Sequence, residues 1–232
     1  MKASSKRPTP KTSPKTTLKN TPLNELARWY EKKLQAAYPD AHCALKHANA
    51  FELLIATILS AQCTDARVNM VTPELFKKWP TPKAMAQAKQ KEIETTIRST
   101  GFYRNKAKSI LGASQMIEKN FHGQVPDTME SLLQLPGVAR KTANVVLGNV
   151  FKKNVGVVVD THVSRLSNRM GLTRQTTPEK IEQDLMQLFP SRSWTLLSHL
   201  LIAHGRSCCT ARKTACEQCP IRQQCPQIGV LK

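Results

Sequence analysis

The chain is short of acid. Sixteen Asp and Glu stand against 35 Lys and Arg, a formal charge of +19, and the first 21 residues hold no acid at all. Such a surplus argues against a merely solvated surface. It favours a polyanionic partner, either nucleic acid or an anionic membrane. No apolar run approaches the roughly 18 residues of a spanning helix, which excludes a transmembrane segment. The N-terminus lacks the apolar stretch of a signal peptide. No internal repeat is visible. The 232 residues allow one large domain or two small lobes with a sufficient core. Cysteine is present but lacks the even spread of a secreted disulfide framework: of seven, four fall within residues 209–225. That pattern reads as a reducing compartment with metal-type ligation.

Residues 1–21 are Lys, Pro, Thr and Ser with almost nothing apolar. They are expected to form a disordered basic arm that adds non-specific phosphate attraction. From residue 23 the pattern is helical nearly throughout. Candidates span 23–38, 51–60, 65–79, 82–90, 91–100, 105–120, 128–134, 178–189 and 194–204, and Gly101 reads as a C-cap. Val155–Val159 is β-branched but has no partner and reads as an extended connector. The expected class is all-α.

Asp127, followed by Glu130, resembles a capping box for a short helix. That helix runs into Leu135-Pro136-Gly137-Val138-Ala139-Arg140-Lys141-Thr142-Ala143. Pro136 stops it, Gly137 permits a tight turn, and a second helix starts near Ala139. The free N–H groups at that start suit a phosphate. This is a helix-hairpin-helix pattern, which predicts contact with a nucleic-acid backbone and no base reading. Lys141 falls in the first turn of the second helix. It is either one more surface lysine or a nucleophile. The dipole disfavours a cation there, and attack on a sugar carbon requires the free amine. Further on, Val159-Asp160-Thr161-His162 is followed by Arg165. Asp160 fits the N-cap of the next helix, and His162 alone fits surface or packing.

Cys209, Cys216, Cys219 and Cys225 are separated by six, two and five residues. Thiolates so close hold a metal or a cluster. Structural zinc sites usually pair two short knuckles, and only Cys216 and Cys219 form one. Four thiolates also suit an iron–sulfur cubane, and the spacing alone leaves both open. Arg206, Arg212, Lys213 and Arg222 surround the loop, which gives it the charge to hold phosphates. Cys43, Cys63 and Cys208 are left over as buried hydrophobes or spare thiols.

Taken together, these pieces resemble the endonuclease III family of helix-hairpin-helix (HhH-GPD) DNA glycosylases. The matching segments are 135–144, 159–162, His204-Gly205-Arg206, the cysteine loop, Leu59-Ser60-Ala61-Gln62 with Asp65, and Gly101-Phe102-Tyr103-Arg104-Asn105-Lys106-Ala107. The resemblance covers about residues 23–226. It implies two helical lobes with the DNA site between them. One is a six-helix barrel over 44–154, with the hairpin at 127–149. The other is a cluster lobe over 22–43 plus 155–232, with a 4Fe–4S loop at 209–225. It implies Lys141 as nucleophile at C1′ of a damaged nucleotide, with Asp160 handling the proton and stabilising positive charge on the sugar. A lysine–sugar imine then breaks the strand by β-elimination. Gln62 is implied as the residue that fills the vacated stack of a flipped base, with Phe102 near a second wedge position. Gly137, Ala139, Arg140, His162 and Arg165 are implied as DNA contacts, and the cluster is implied to be structural.

Adenine-specific mismatch glycosylases share the cysteine pattern but lack the lysine and carry a further C-terminal domain. This chain has Lys141 and runs seven residues past Cys225, so the expected substrates are duplex DNA with oxidised pyrimidines or abasic sites. Three departures stand out: Cys63 after Gln62, which can make that loop oxidation-sensitive; Thr214, where many relatives have Pro; and one extra residue between Lys141 and Asp160. Two other classes compete, a non-catalytic DNA-binding protein and an iron–sulfur redox protein; neither needs Lys141 and Asp160. A monomer on the nucleoid of the bacterial cytoplasm is expected, with organellar or nuclear targeting by the arm as the second alternative.

Overall fold

The structure, a computed structural model, describes residues 22–230. The expected disordered arm therefore lies outside the described residues. Among them are eleven α-helices and no β-strand: α1 (Leu23–Ala37), α2 (Ala50–Leu59), α3 (Asp65–Lys78), α4 (Pro82–Ala86), α5 (Gln90–Ile97), α6 (Tyr103–Phe121), α7 (Met129–Leu133), α8 (Arg140–Asn149), α9 (Thr161–Arg169), α10 (Pro178–Leu188) and α11 (Trp194–Ser207). The class is all-α, as expected.

The helices bury two separate apolar cores. The first gathers side chains from α2 to α8 around α2. Seven α2 hydrophobes, Phe51, Leu53, Leu54, Ile55, Ala56, Ile58 and Leu59, are buried, so α2 is apolar on all sides and belongs at a centre. Its start is fixed by Asn49, whose Oδ1 accepts from Glu52 N at 3.0 Å, while Glu52 reaches back to Ala48 N at 2.7 Å. Those two bonds satisfy N–H groups with no partner inside the helix.

The second core joins opposite ends of the chain. Ala27, Tyr30 and Leu34 form the buried stripe of α1 and pack with α9, α10, α11 and Ile221. The Tyr30 hydroxyl lies within hydrogen-bonding distance of Met170 O (3.3 Å) and Gln224 O (2.9 Å). The chain crosses between the cores after α8. Val157 and Val159 of the extended connector enter the second core, and Val158 N donates to Ser198 Oγ at 3.0 Å.

Three local expectations shift. Residues 82–90 form a helix only to Ala86, because Lys89 is extended and breaks the run. The run over 91–100 becomes α5 plus a 3-10 turn, Arg98–Thr100, before Gly101. The cap of α7 is Thr128, whose Oγ1 accepts from Ser131 N at 3.3 Å; Asp127 instead pairs with Lys153.

Candidate functional site

The hairpin consists of α7, the turn 134–139 and α8. Gly137 has φ +79°, and a Cβ there would come within 2.6 Å of Ser109 Cβ. Only glycine combines that left-handed backbone with that approach. Ala139, the N-cap of α8, is extended and supplies no side-chain cap. The first N–H groups of α8 thus keep their outward-facing capacity. Lys141 is exposed at the second position of α8.

Asp160 caps α9. Its Oδ1 accepts from both His162 N and Val163 N at 2.8 Å. Its Oδ2 has no partner among the described residues. Lys141 and Asp160 open on one cleft of about 120 Å³ between the two cores, together with Ser60, Asp65, His199 and Arg206. Arg206 Nη2 donates to Asp65 Oδ2 at 2.6 Å along its lining.

Beneath Lys141 lies a group absent from the sequence expectation. Arg140 donates from Nε and Nη2 to the Glu182 carboxylate at 2.8 and 3.1 Å, and Asn144 Nδ2 donates to Glu182 Oε1 at 2.9 Å. Glu182 is buried on α10 in the second core, so this cluster ties α10 to the first turn of α8. The chain must stay bare beside it: a Cβ on Gly156 would sit 2.0 Å from Glu182 Oε1. The only hint in the sequence is an acid between Ile181 and Leu185 on the buried face of α10.

Among the other expected contact residues, Gln62 follows α2 and Phe102 precedes α6, two of five non-glycine residues with left-handed backbone among the described residues. Their φ values are +52° and +47°, and Phe102 is 62% exposed. Left-handed backbone at such residues is uncommon and concentrates at functional positions. Buried Lys106 braces the Phe102 turn by donating to Thr100 O at 2.8 Å. Arg140 is partly exposed beside its Glu182 pair. Arg165 is turned inward: its Nη2 donates to the carbonyls of Gly205 and Cys209 at 3.1 Å and lies 3.3 Å from His162 Nδ1. Arg212 and Lys213 are exposed on the cysteine loop.

Cys209, Cys216, Cys219 and Cys225 line one cavity with the apolar Met170, Ile221 and Val230, and all four are free thiols. Cys208, the thiol left over by the spacing, lines it too. The tightest donor group among the described residues is His204, Cys208 and Cys219, within 4.8 Å of one another. Arg169 Nη1 donates to Cys209 Sγ at 3.3 Å and to Thr210 O at 2.7 Å. Burial and neighbouring thiols push Cys225 up to about 11. A bound cation would reverse that effect and hold the sulfurs as thiolates. The donor set, an apolar shell and N–H···S support fit a thiolate-ligated metal centre.

Comparisons with known proteins place this geometry. The family described as "HhH-GPD superfamily base excision DNA repair protein" matches residues 55–191. Endonuclease III of Synechocystis sp. is 54% identical over 83% of this chain and 88% of its own length; that of Bacillus subtilis is 43% identical over the same shares. Among solved structures, a trapped endonuclease III–DNA covalent intermediate aligns with a TM-score of 0.84 and 42% identity, covering 88% of this chain and 96% of that one. A thermostable thymine-DNA glycosylase shares the fold at 19% identity and a TM-score of 0.79. The chain therefore belongs to the HhH-GPD superfamily of base-excision DNA repair proteins and, within it, to the endonuclease III family.

Proposed function

We propose that this chain, as a DNA glycosylase and abasic-site lyase, removes oxidised pyrimidines from duplex DNA and cuts the resulting abasic strand through a lysine imine. The observation that carries this reading is the placement of Lys141 and Asp160 on one cleft, each in the opening turn of its helix. The hairpin backbone and the uncapped start of α8 hold a phosphate. Gln62 and Phe102 enter the duplex as the damaged nucleotide swings into the cleft.

Lys141 Nζ then attacks C1′, and the C1′–N bond to the base breaks with its electron pair leaving on the base. Asp160 stabilises the positive charge that develops on the sugar. Its Oδ2 is available for this because Oδ1 alone serves the cap. Nζ then loses a proton, its lone pair forms the C1′=N bond, and the C1′–O4′ bond breaks with its electron pair on O4′, which takes up that proton and leaves the open-chain imine. Removal of a C2′ proton expels the 3′ phosphate by β-elimination.

The two cores are read as two lobes, a barrel over 44–154 and a cluster lobe over 22–43 plus 155–232. Cys209, Cys216, Cys219 and Cys225 are the residues to hold a 4Fe–4S cluster, whose chemistry when bound is to cross-link the terminal loop. Arg212 and Lys213 on that loop face phosphate. The protein is read as a monomer of the bacterial cytoplasm, and no helix among the described residues is long and apolar enough to cross a membrane.

Borohydride trapping on duplex DNA with a single oxidised thymine tests the reading. A covalent adduct is expected with the native chain and none with Lys141→Gln. An adduct that persists in the variant would refute the lysine mechanism.

A further inference from the structure

The cleft that holds Lys141 and Asp160 is also lined by His199 from α11. Its ring is oriented by a short chain of hydrogen bonds. Asn149 Nδ2 donates to Val145 O at 2.8 Å. A carbonyl can only accept, so the amide cannot be turned over, and Asn149 Oδ1 faces His199 Nε2 at 2.8 Å. An amide oxygen can only accept as well, so Nε2 carries the hydrogen. In the neutral ring, Nδ1 is then a bare acceptor. Burial first, and the nearby His42 second, lower His199 to about 4, so the neutral ring prevails at neutral pH.

Nδ1 has no partner among the described residues, and it is not one of the buried unpartnered atoms. It is therefore not sealed inside the protein, and the ring as a whole lines the cleft. Three hydroxyls of the cleft-lining residues are spent on helix carbonyls: Thr57 donates to Leu53 O (2.7 Å), Ser60 to Thr57 O (2.8 Å) and Ser198 to Trp194 O (3.1 Å). The cleft thus offers cations in Lys141 and Arg206, carboxylates in Asp65 and Asp160, and two rings: exposed His42, whose Nδ1 faces Asp40 O, and the half-buried His199 of α11.

A pyrimidine swung out of the duplex loses the acceptor its pairing partner supplied. A thymine-derived lesion then carries an unpaired N3–H and a cytosine-derived lesion an unpaired N4 amino group, and burying either donor unpaired is unfavourable. We infer that His199 is a specificity-determining residue that accepts, at Nδ1, a hydrogen bond from the pairing edge of the extruded pyrimidine, with Asn149 as the residue that sets its tautomer. The inference rests on the cleft being the site of base removal.

The test compares His199→Gln and His199→Asn with the native chain under single turnover. The glutamine places a donor near Asn149 and nothing at Nδ1; the asparagine places an acceptor near Nδ1. Two duplexes are used, one with thymine glycol and one with an abasic site, which has no base to read. His199→Gln is expected to slow base release by about 10- to 100-fold, the loss of one hydrogen bond. It should leave abasic cleavage within about threefold, and His199→Asn should recover part of the loss. Unchanged base release would overturn the inference. So would an equal fall on both substrates, which is the mark of a merely structural role. If the native chain gave no borohydride adduct on abasic DNA, the failure would lie in the reading of the cleft itself.

Discussion

Glu182→Ala removes the acceptor on which α8 and α10 converge. It leaves the Asn144 amide, 4% exposed, without its acceptor, and a buried donor left unpaired costs about 1–3 kcal/mol. It also strips Arg140 of its carboxylate. Removing one partner of a fully buried pair costs about 3–5 kcal/mol, but the Arg140 side chain is 46% exposed and turns into water. That share falls toward the ~1 kcal/mol of an exposed pair. The sum is roughly 2–4 kcal/mol. At about 2–4 °C per kcal/mol for a chain of this size, the melting temperature should fall by roughly 5–15 °C. Thermal unfolding by circular dichroism reads this directly, with Glu179→Ala, exposed in the first turn of the same helix, as the control. Glu182→Gln keeps an acceptor for Asn144 and should lose less than half as much. A Glu182→Ala variant that melts within about 2 °C of the Glu179→Ala control would refute the reasoning, because it would show that the cluster contributes nothing beyond helix-end charge.

Other expectations follow from the same geometry. Gly137→Ala should weaken binding to undamaged duplex by at least about tenfold in fluorescence anisotropy and cost about 1–3 kcal/mol. Gly101→Ala, equally left-handed but with open space around its Cβ, should cost stability without the same loss of binding. On the proposed 4Fe–4S site, Cys209→Ser should lose visible charge-transfer absorbance and iron, whereas Cys208→Ser should keep both; the opposite result would move the site to the His204–Cys208–Cys219 group. His199 is held below its ordinary range, so the unfolded chain binds a proton that the folded chain refuses between about 6.5 and 4. The stability contributed by its neutral form is complete above pH 6.5 and is lost as pH falls toward 4, by roughly 1 kcal/mol at pH 5.5. Melting curves at pH 7.5 and 5.5 should therefore converge for the native chain and His199→Gln, and parallel shifts would contradict the assignment.

The helices were legible because each carries its own marks. The apolar run of α2, the stripe of α1 and the Pro136-Gly137 stop are local patterns, and local patterns survive in one dimension. The errors were local too: Asp127 and Thr128 are both competent caps, and only the pull of Lys153 on Asp127 decides between them. The candidate site divides in the same way. Lys141 is marked by the fixed spacing of the hairpin, whereas Asp160 reads on its own as a cap and gains a further part only through the resemblance. Glu182, Asn149 and His199 carry no such mark, since each acquires its part from a residue about 40 or 50 positions away.

Asp160 shows why the two kinds of information have to be combined. From the chain alone, capping and catalysis compete for one side chain, and capping is the simpler account. On the proposed mechanism they fall on different atoms of the folded side chain. Oδ1 takes both N–H groups of the first turn of α9, which fixes the carboxylate in place and aims Oδ2 without further cost. The cap is therefore the device that prepares the second oxygen. On that mechanism, a residue that looks fully explained by secondary structure is, for the same reason, held rigidly enough to act on the sugar.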